Sequence, residues 1–199
     1  MIKKFIDKLL GKTPGGARGS KKPSFGKREE VSADVHGINP ELVDRRASDV
    51  VRTLKQAGFE AYIVGGAVRD LLVGLRPKDF DVATNATPEQ VKGLFRRAFI
   101  IGRRFRIVHV VYGRGREHEV IEVSTFRAYL DNAAAEQVAG NEKTSKSELA
   151  GMHHAVDSTG RVLRDNVWGP MEEDAVRRDF TINAMYYDPE TQVVVDYHK

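Results

Sequence analysis

A glycine pair placed between an apolar strand and a helix constrains this chain more than any other feature of its sequence. Residues 61–64 are the apolar run of a short buried strand, and residues 67–73 have the spacing of a helix that ends at Gly74. Gly65 and Gly66 lie between them, and because glycine has no Cβ, backbone amides there can approach the oxygens of a phosphate group. This strand–turn–helix segment is predicted either to bind phosphate or to contain a purely structural turn.

Two carboxylates follow on the strand predicted at residues 78–84. Asp79 and Asp81 are two residues apart, so both side chains point to one face of the strand, about 7 Å apart along it. Phe80 and Val82 then point into the core. Carboxylate pairs bind hard divalent cations, and two-metal sites hold their ions about 3.5–4 Å apart. An acidic pair on a strand is also common as a solvated edge, so the pair alone leaves both interpretations open.

Further charged residues can complete such a site. Arg69, on the first turn of the predicted helix, can clamp a phosphate, and Asp70 can hold its guanidinium or the loop; the alternative is a surface ion pair. Glu122 is predicted to be either a third carboxylate of the site or a residue of an exposed sheet face. The Arg177-Arg178-Asp179 segment precedes a helix predicted over residues 180–187, so Asp179 is interpreted either as a site residue or as the helix N-cap.

The remaining pattern predicts one domain with an extension at its start and a long loop within it. Residues 1–35 are rich in basic and turn-forming residues and are predicted to be a flexible extension. Order is predicted to begin at Asn39, the N-cap of a helix that Gly58 closes. Residues 128–160 lack a sustained apolar period and are predicted to be a mobile insertion, in which the His153-His154 pair is interpreted as solvated rather than metal-binding.

The other predicted elements alternate with these segments. A capping box formed by Thr87 and Gln90 opens a helix that runs to about Phe95. Strands rich in β-branched residues are predicted at residues 99–101, 106–112, 117–125 and 193–197.

Composition narrows the class of protein. The 199 residues suit one domain, which we expect to be a monomer. No apolar run is long enough to cross a bilayer and no secretory signal is present, so a cytoplasmic location is expected. The absence of cysteine excludes disulfides and thiolate metal sites. Residues 1–30 hold nine Lys or Arg against three acids, so this arm is expected either to contact RNA or an anionic membrane surface, or only to be solvated.

Four segments, in this order, resemble the class II nucleotidyltransferases of the polymerase β superfamily, which include bacterial poly(A) polymerases and tRNA CCA-adding enzymes. They are Gly65–Asp70, Asp79–Asp81, Glu122–Arg127 and Arg177–Ala184. The resemblance implies an α+β, polymerase β-like fold with a mixed or antiparallel sheet flanked by helices. It also implies that residues 36–199 are a catalytic head domain, whose helical neck, body and tail domains are absent from this sequence.

The resemblance implies roles for these residues. Asp79 and Asp81 are expected to bind magnesium at a two-metal site, with Glu122 and Asp179 competing for a further acidic catalytic role. The nucleotide is expected to contact Gly65, Gly66, Arg69, Arg177 and Arg178. An RNA 3′-hydroxyl would attack the α-phosphate of ATP and release pyrophosphate.

Within this family, the segments at residues 77–88, 101–106 and 163–166 are similar to those of poly(A) polymerases, and the long insertion and basic arm also favour that branch. The expected reaction is therefore the addition of AMP to RNA 3′ ends. Addition of CCA to tRNA is the alternative, because the catalytic motifs are shared. A catalytically silent RNA-binding fragment and a small-molecule nucleotidyltransferase are further alternatives; the latter usually carry Gly-Ser at the position of Gly65 and Gly66.

Overall fold

A mixed sheet of eight strands forms the centre of the computed structural model, which describes residues 25–103, 105–129, 154–156, 162–165 and 168–199. The strands of these residues, in chain order, are β1 (Glu29–Val31), β2 (Ala61–Val64), β3 (Asp81–Thr84), β4 (Ala98–Ile101), β5 (Ile107–Tyr112), β6 (Glu119–Thr125), β7 (His154–Val156), β8 (Val162–Asp165), β9 (Tyr186–Asp188) and β10 (Val193–Asp196).

The order of strands across the sheet is β1-β10-β9-β2-β3-β6-β5-β4, and β7 pairs with β8 separately. Neighbouring strands are antiparallel, except that β3 and β6 run parallel. The chain returns from β3 to β6 through a helix and two strands, which supplies the long connection that a parallel pair requires.

Helices cover one whole face of this sheet. The α-helices of the described residues are α1 (Ala33–His36), α2 (Arg45–Gln56), α3 (Gly66–Leu72), α4 (Pro88–Leu94) and α5 (Met171–Val176). The main core lies under α2, α3 and α4, where Val50, Leu54 and Val68 are buried against Val82 and Val123 of the sheet. None of the helices in the described part of the chain is long and apolar enough to span a bilayer. The predicted α+β arrangement of a mixed sheet flanked by helices is confirmed.

The opposite face of the sheet is covered only in part. Helix α5 packs there over β2, β3, β9 and β10, in a second core that contains Met171, Ala175 and Tyr186. Over β4, β5 and β6 the outward side chains belong to neither core and stay partly or fully exposed. We call this surface the open face; its side chains are Phe99, Ile101, Ile107, His109, Val111, Val120, Glu122 and Ser124.

Local capping sets the beginnings of two helices. The predicted capping box at Thr87 and Gln90 is present and opens α4. The helix predicted to begin after Asn39 instead begins at Arg45, because Asp44 accepts a hydrogen bond from the Arg46 amide. Asn39 caps only a short 3-10 turn, Pro40–Leu42. Both residues are good N-caps, but the extended backbone of Val43 ends the 3-10 turn, so the long helix begins only after Asp44.

Part of the extension predicted at residues 1–35 belongs to the folded domain. Strand β1 pairs with β10 at the edge of the sheet, and α1 follows it directly. His36 fixes this segment, since its Nε2 lies 2.8 Å from the carbonyl oxygen of Gln192 and its ring packs edge-on against Tyr187. Sequence patterns gave no strand here because two of the three residues of β1 are charged, as is common on edge strands. Residues 1–24 lie outside the described residues.

The helix predicted over residues 180–187 is wrong. Phe180 has a backbone φ of 56°, which no helix continues, and it is followed by a 3-10 turn, Thr181–Asn183, and then by β9. Strand β9 lies between β2 and β10 and is buried on both faces, so its run of Tyr186, Tyr187 and Asp188 shows no period-two alternation. Such a run cannot be distinguished from a buried helix by periodicity alone.

The insertion predicted at residues 128–160 contains a strand, because β7 pairs with β8. The insertion was also predicted to be mobile, but residues 130–153 and 157–160 lie outside the described residues, as do the side chains of His153 and His154. The two ends of the excursion meet at a bridge between Arg127 and Trp168. Gly169 lies so close to the chain there that a Cβ on it would be 2.6 Å from the Cα of Ala128, so only glycine fits.

An ion pair ties α2 to the β9–β10 hairpin. Lys55 Nζ lies 2.7 Å from the carboxylate of Asp188, whose side chain is 9% exposed, and 2.9 Å from that of Glu190, which is 39% exposed. Burial opposes ionisation of Asp188, but hydrogen bonds from Lys55 and from the amide of Glu190 outweigh it and hold the pKa of Asp188 below its usual value.

We therefore predict that Asp188→Asn lowers the free energy of unfolding at pH 7 by about 1–3 kcal/mol, because the ammonium of Lys55 loses a buried charged partner. The matched change Glu190→Gln, at a more exposed carboxylate, should cost less than about 1 kcal/mol. A depressed folded pKa stabilises the protein above the unfolded pKa, roughly 4, and that stability is lost as the pH falls through the folded pKa. Urea unfolding should therefore show the full Asp188→Asn deficit at pH 7, and the deficit should shrink as the pH is lowered below about 4 and through the folded pKa. A deficit that does not change with pH would contradict the ion pair.

Candidate active site

A cleft of about 520 Å³ opens between α3 and the segment that leads into β3. Its lining residues are Gly66, Ala67, Arg69, Asp70, Leu75, Arg76, Lys78, Asp79 and Asp81. The structure thus brings the predicted glycine turn, Arg69 and the predicted pair of carboxylates to one place.

The two aspartates occupy the entry to β3 rather than its middle. Asp79 lies before the strand and Asp81 is its first residue, which corrects the strand predicted from residue 78. The predicted alternation is confirmed, because Phe80 and Val82 are buried while Asp79 and Asp81 are exposed. Gly65 has a φ of 81° and lies next to this pair, where a Cβ on it would be 3.7 Å from Oδ2 of Asp81.

Glu122 lies beside Asp81 on the neighbouring strand. In the parallel pair of β3 and β6, Asp81 is the register partner of Glu122, so the two side chains share one face about 4.8 Å apart in strand spacing. On the other side, His109 of β5 is the register partner of Glu122, and its Nε2 lies 3.6 Å from a carboxylate oxygen of Glu122. Glu122 is therefore at the junction of the cleft and the open face, half-exposed, which agrees in part with both interpretations of its sequence position.

Negative charge accumulates around Asp81. Although the residue is exposed to solvent as a whole, protein atoms surround its carboxylate closely enough for desolvation to be the main cause that raises its pKa, to about 6. The negative charges of Glu122 and Asp79 raise this pKa further, and the positive charge of Arg178 lowers it. A bound cation would relieve this repulsion at Asp81.

The donor set fits magnesium. Asp79 and Asp81 supply oxygen ligands, and the negative charge that they share with Glu122 favours the binding of a divalent cation. In the part of the chain that the structure describes, no group of three or more acidic or histidine side chains is arranged to hold a metal ion. An ion held by the two aspartates would therefore complete its coordination with water or phosphate oxygens, as magnesium commonly does.

Arg69 is held in place by two neighbours. Its guanidinium donates to Oδ1 of Asp70 at 2.9–3.0 Å and to the side-chain oxygen of Asn183 at 3.1 Å. Gly66 leaves space for this arrangement, because a Cβ on it would lie 3.3 Å from a guanidinium nitrogen of Arg69. The predicted pairing of Arg69 with Asp70 is present. The role of Asn183, which joins the Arg177–Ala184 segment to the helix that follows the glycine turn, was missed because 114 positions of sequence separate it from Arg69.

A buried carboxylate, Asp174 on α5, organises the arginines. It is fully buried, accepting from Nη2 of Arg177 at 2.9 Å, Nε of Arg178 at 2.9 Å, the hydroxyl of Tyr186 at 2.7 Å and the amide of Arg127 at 3.0 Å. Burial opposes its ionisation, but Arg178 and Arg177 outweigh burial and hold the pKa of Asp174 below its usual value. Sequence reasoning missed Asp174, although its spacing of three and four residues from the arginines is that of helical ion pairs.

The predicted residues Arg177, Arg178 and Asp179 have different surroundings. Arg178 lies near enough to Asp81 for its charge to act on that carboxylate, and its side chain is 18% exposed. Arg177 has a buried Nε that meets no hydrogen-bond partner among the described residues. Asp179 is exposed and does not cap a helix, because the chain turns at Phe180. No contact joins Asp179 to the cleft carboxylates in the described part of the chain.

Two further cationic side chains, which were not among the predicted site residues, line the cleft. Arg76 and Lys78 are exposed and flank the entry to β3, next to Asp79. With Arg69 they place positive charge opposite the acidic pair within one cavity. Such a combination can hold a polyanion and a divalent cation together.

We predict that Asp174→Asn lowers the free energy of unfolding by about 3–5 kcal/mol, because the guanidinium of Arg178 then lies buried without a charged partner. The control Glu172→Gln changes a carboxylate on the same helix that is not fully buried, and should cost less than about 0.5 kcal/mol. Chemical denaturation of both variants at pH 7 measures the difference. Equal stability of the two variants would show that Asp174 does not hold the arginines together.

Comparisons with known proteins identify the family of this chain. Residues 61–199 match the family model of the poly A polymerase head domain. A poly(A) polymerase I of Haemophilus influenzae is 47% identical over 168 residues, which are 84% of this chain and 33% of that protein. A CCA-adding enzyme of Lactobacillus helveticus is 36% identical over 149 residues, 75% of this chain and 30% of that protein. The chain thus spans about a third of the length of the curated relatives it matches.

A solved structure extends the comparison to the fold. The apo form II of a CCA-adding enzyme superposes with a TM-score of 0.57 at 19% identity, over 84% of this chain and 35% of that one. At this identity the likeness concerns the fold, and it confirms the expected polymerase β-like nucleotidyltransferase architecture. The family match over most of the residues, together with the high identity to poly(A) polymerase I, places this chain in the poly(A) polymerase head-domain family of nucleotidyltransferases.

Proposed function

We propose that this chain is the catalytic head of a template-independent polynucleotide adenylyltransferase, which transfers AMP from ATP to RNA 3′ ends, as in mRNA polyadenylation. The observation that carries the proposal is the single cleft that holds Asp79 and Asp81 together with Arg69 and Lys78. Ligands for a divalent cation and cations for a triphosphate lie side by side there. The 47% identity to Haemophilus poly(A) polymerase I supports the choice of reaction.

The cleft cations would bind the triphosphate of ATP. Arg69 is oriented by Asp70 and Asn183, so its guanidinium is fixed before the nucleotide arrives, whereas Arg76 and Lys78 are exposed and can follow the phosphates. Gly65 and Gly66 leave the backbone of the turn open to a phosphate oxygen. Arg178, held by Asp174, adds positive charge on the side of Asp81. The buried Nε of Arg177 is a further donor that a nucleotide could satisfy.

The acidic residues would act on the attacking hydroxyl. Asp79 and Asp81 would hold magnesium, which when bound neutralises charge on the triphosphate and lowers the pKa of the hydroxyl. Glu122 lies next to Asp81 on the side away from β2, where its carboxylate would accept a hydrogen bond from the RNA 3′-hydroxyl. Asp179, the other proposed acidic residue, is exposed at the end of α5 and would act at the ribose of the incoming nucleotide.

Addition of CCA to tRNA is the second candidate, because CCA-adding enzymes are among the relatives, at 36% identity. A catalytically silent RNA-binding fragment is less well supported, since the acidic cleft would have no use in it. The cytoplasmic location, the monomeric state and contacts of the basic arm with RNA or membrane stay predictions.

We predict that Asp79→Asn and Asp81→Asn each lower the rate of AMP transfer by about 1,000-fold or more, because several kcal/mol of charge stabilisation are lost with a metal ligand. Asp34→Asn, the same change at an exposed helix outside the cleft, should leave the rate unchanged. The assay measures the incorporation of AMP into an oligoadenylate primer in the presence of ATP and magnesium. It uses this chain alone and this chain joined to the remaining two-thirds of the Haemophilus relative. Undiminished transfer by either cleft variant would exclude the proposed metal site.

We further predict that the active form adds A to generic RNA. The four pairings of ATP or CTP with generic RNA or tRNA that lacks its CCA end separate the two candidate functions. Incorporation of C confined to tRNA would overturn the poly(A) assignment. No incorporation in any pairing by the joined chain would favour the silent RNA-binding fragment.

A further inference from the structure

The open face begins where the acidic cleft ends. Register partners continue in one row from Asp81 through Glu122 and His109 to Phe99, so these four side chains point to the same side of the sheet. Phe99 is 53% exposed and Ile101, next to it on the same face of β4, is 43% exposed. Helices α2 and α4 pack on the opposite side of these strands, and in the described part of the chain no helix covers this side.

We propose that the open face is the binding surface for the last nucleotides of the RNA, with Phe99 and His109 stacking against bases that precede the reacting 3′ end. The proposal rests on the proposed function for the identity of its ligand. It adds a substrate-binding surface made of residues that the catalytic motifs do not contain.

The distances suit a single strand of RNA. Three strand spacings separate Asp81 from Phe99, which is about 14 Å. Stacked nucleotides rise about 3.4 Å each along one strand, so this row spans about four of them. With the 3′-terminal nucleotide at Glu122, the preceding bases would pass over His109 and reach Phe99.

The chemistry of the face also suits nucleic acid. An aromatic ring, an imidazole and branched aliphatic side chains offer flat apolar surface, and base stacking on such a sheet is tolerant of sequence. Cations lie at the end of the same strands: Arg103 is exposed in the β4–β5 connection, and the guanidinium of Arg127 lies 4.8 Å from the ring centroid of Phe105. These groups can meet the phosphates that accompany the bases. A protein partner would not need this charge or its continuity with the acidic cleft.

Binding can be tested without catalysis. The probe is a 12-residue oligoadenylate with 2-aminopurine at the fourth position from its 3′ end, about three nucleotide steps from the terminal nucleotide at Glu122, added to the protein without ATP or magnesium. Fluorescence quenching reports stacking of this base, and anisotropy reports affinity. We expect Phe99→Ala to weaken binding about 5- to 100-fold and to restore fluorescence, because one base loses its aromatic partner. Phe99→Trp should retain binding, and Leu94→Ala, a similar loss of exposed apolar surface on α4, should have no effect.

An abasic oligonucleotide completes the test. If Phe99 stacks on a base, removing the base at that position weakens binding to the wild type but not further to Phe99→Ala, so the two changes are not additive. Additive effects would overturn the proposal. The proposal would also be overturned if sedimentation showed that Phe99→Ala changes the oligomeric state while the substitution shows no coupling to removal of the base. That result would identify the open face as a protein interface.

The outcomes also separate the two proposals. Coupling between Phe99 and the base, without AMP transfer by the joined wild-type chain, would support the RNA surface and overturn the proposed reaction. AMP transfer by the wild type without such coupling would overturn the RNA surface alone.

Discussion

The parallel pairing of β3 with β6 is the constraint on which the site depends. Every other neighbouring pair in the sheet is antiparallel, and this one brings Glu122 into register with Asp81 although 41 residues of sequence separate them. A shift of one residue in this register would turn Glu122 to the main core, because side chains alternate between faces. Burial of Val82 and Val123 in that core therefore fixes the position of the carboxylates on the other side.

A second constraint comes from the buried charge of Asp174. It binds two arginines of the Arg177–Ala184 segment and the backbone amide of Arg127, which lies two residues after the end of β6, the strand of Glu122. Two segments far apart in the sequence thus meet on one carboxylate. If the arginines moved away, the buried carboxylate of Asp174 would lose the positive charges that balance it. The fixed guanidinium of Arg178 then acts on Asp81, where it opposes the rise in pKa caused by burial and by Glu122.

Local patterns were sufficient for the parts of the site that are local. The alternation of Phe80 and Val82 with the aspartates, the glycine turn and the capping box at Thr87 each depend on a few adjacent residues, and each was predictable. The joining of Asn183 to Arg69 and of β1 to β10 depends on tertiary pairing, which periodicity does not encode. The wrong helix at residues 180–187 has the same origin, because a strand buried on both faces has no alternating pattern.

The arrangement of charge explains why an acidic cluster persists at the start of β3, although the folded protein would be more stable without it. Desolvation, and after it the like charges of Glu122 and Asp79, raise the pKa of Asp81 to about 6, a cost that falls on the folded protein whenever the site is empty. A bound divalent cation would cancel this repulsion, and Arg69, Arg76 and Lys78 would receive the charge of the phosphates that it carries. The same carboxylates would repel an RNA backbone, which favours the proposed path over the part of the open face beyond Glu122. The side chains of that part, among them His109 and Phe99, include no carboxylate, and Arg103 lies at its edge.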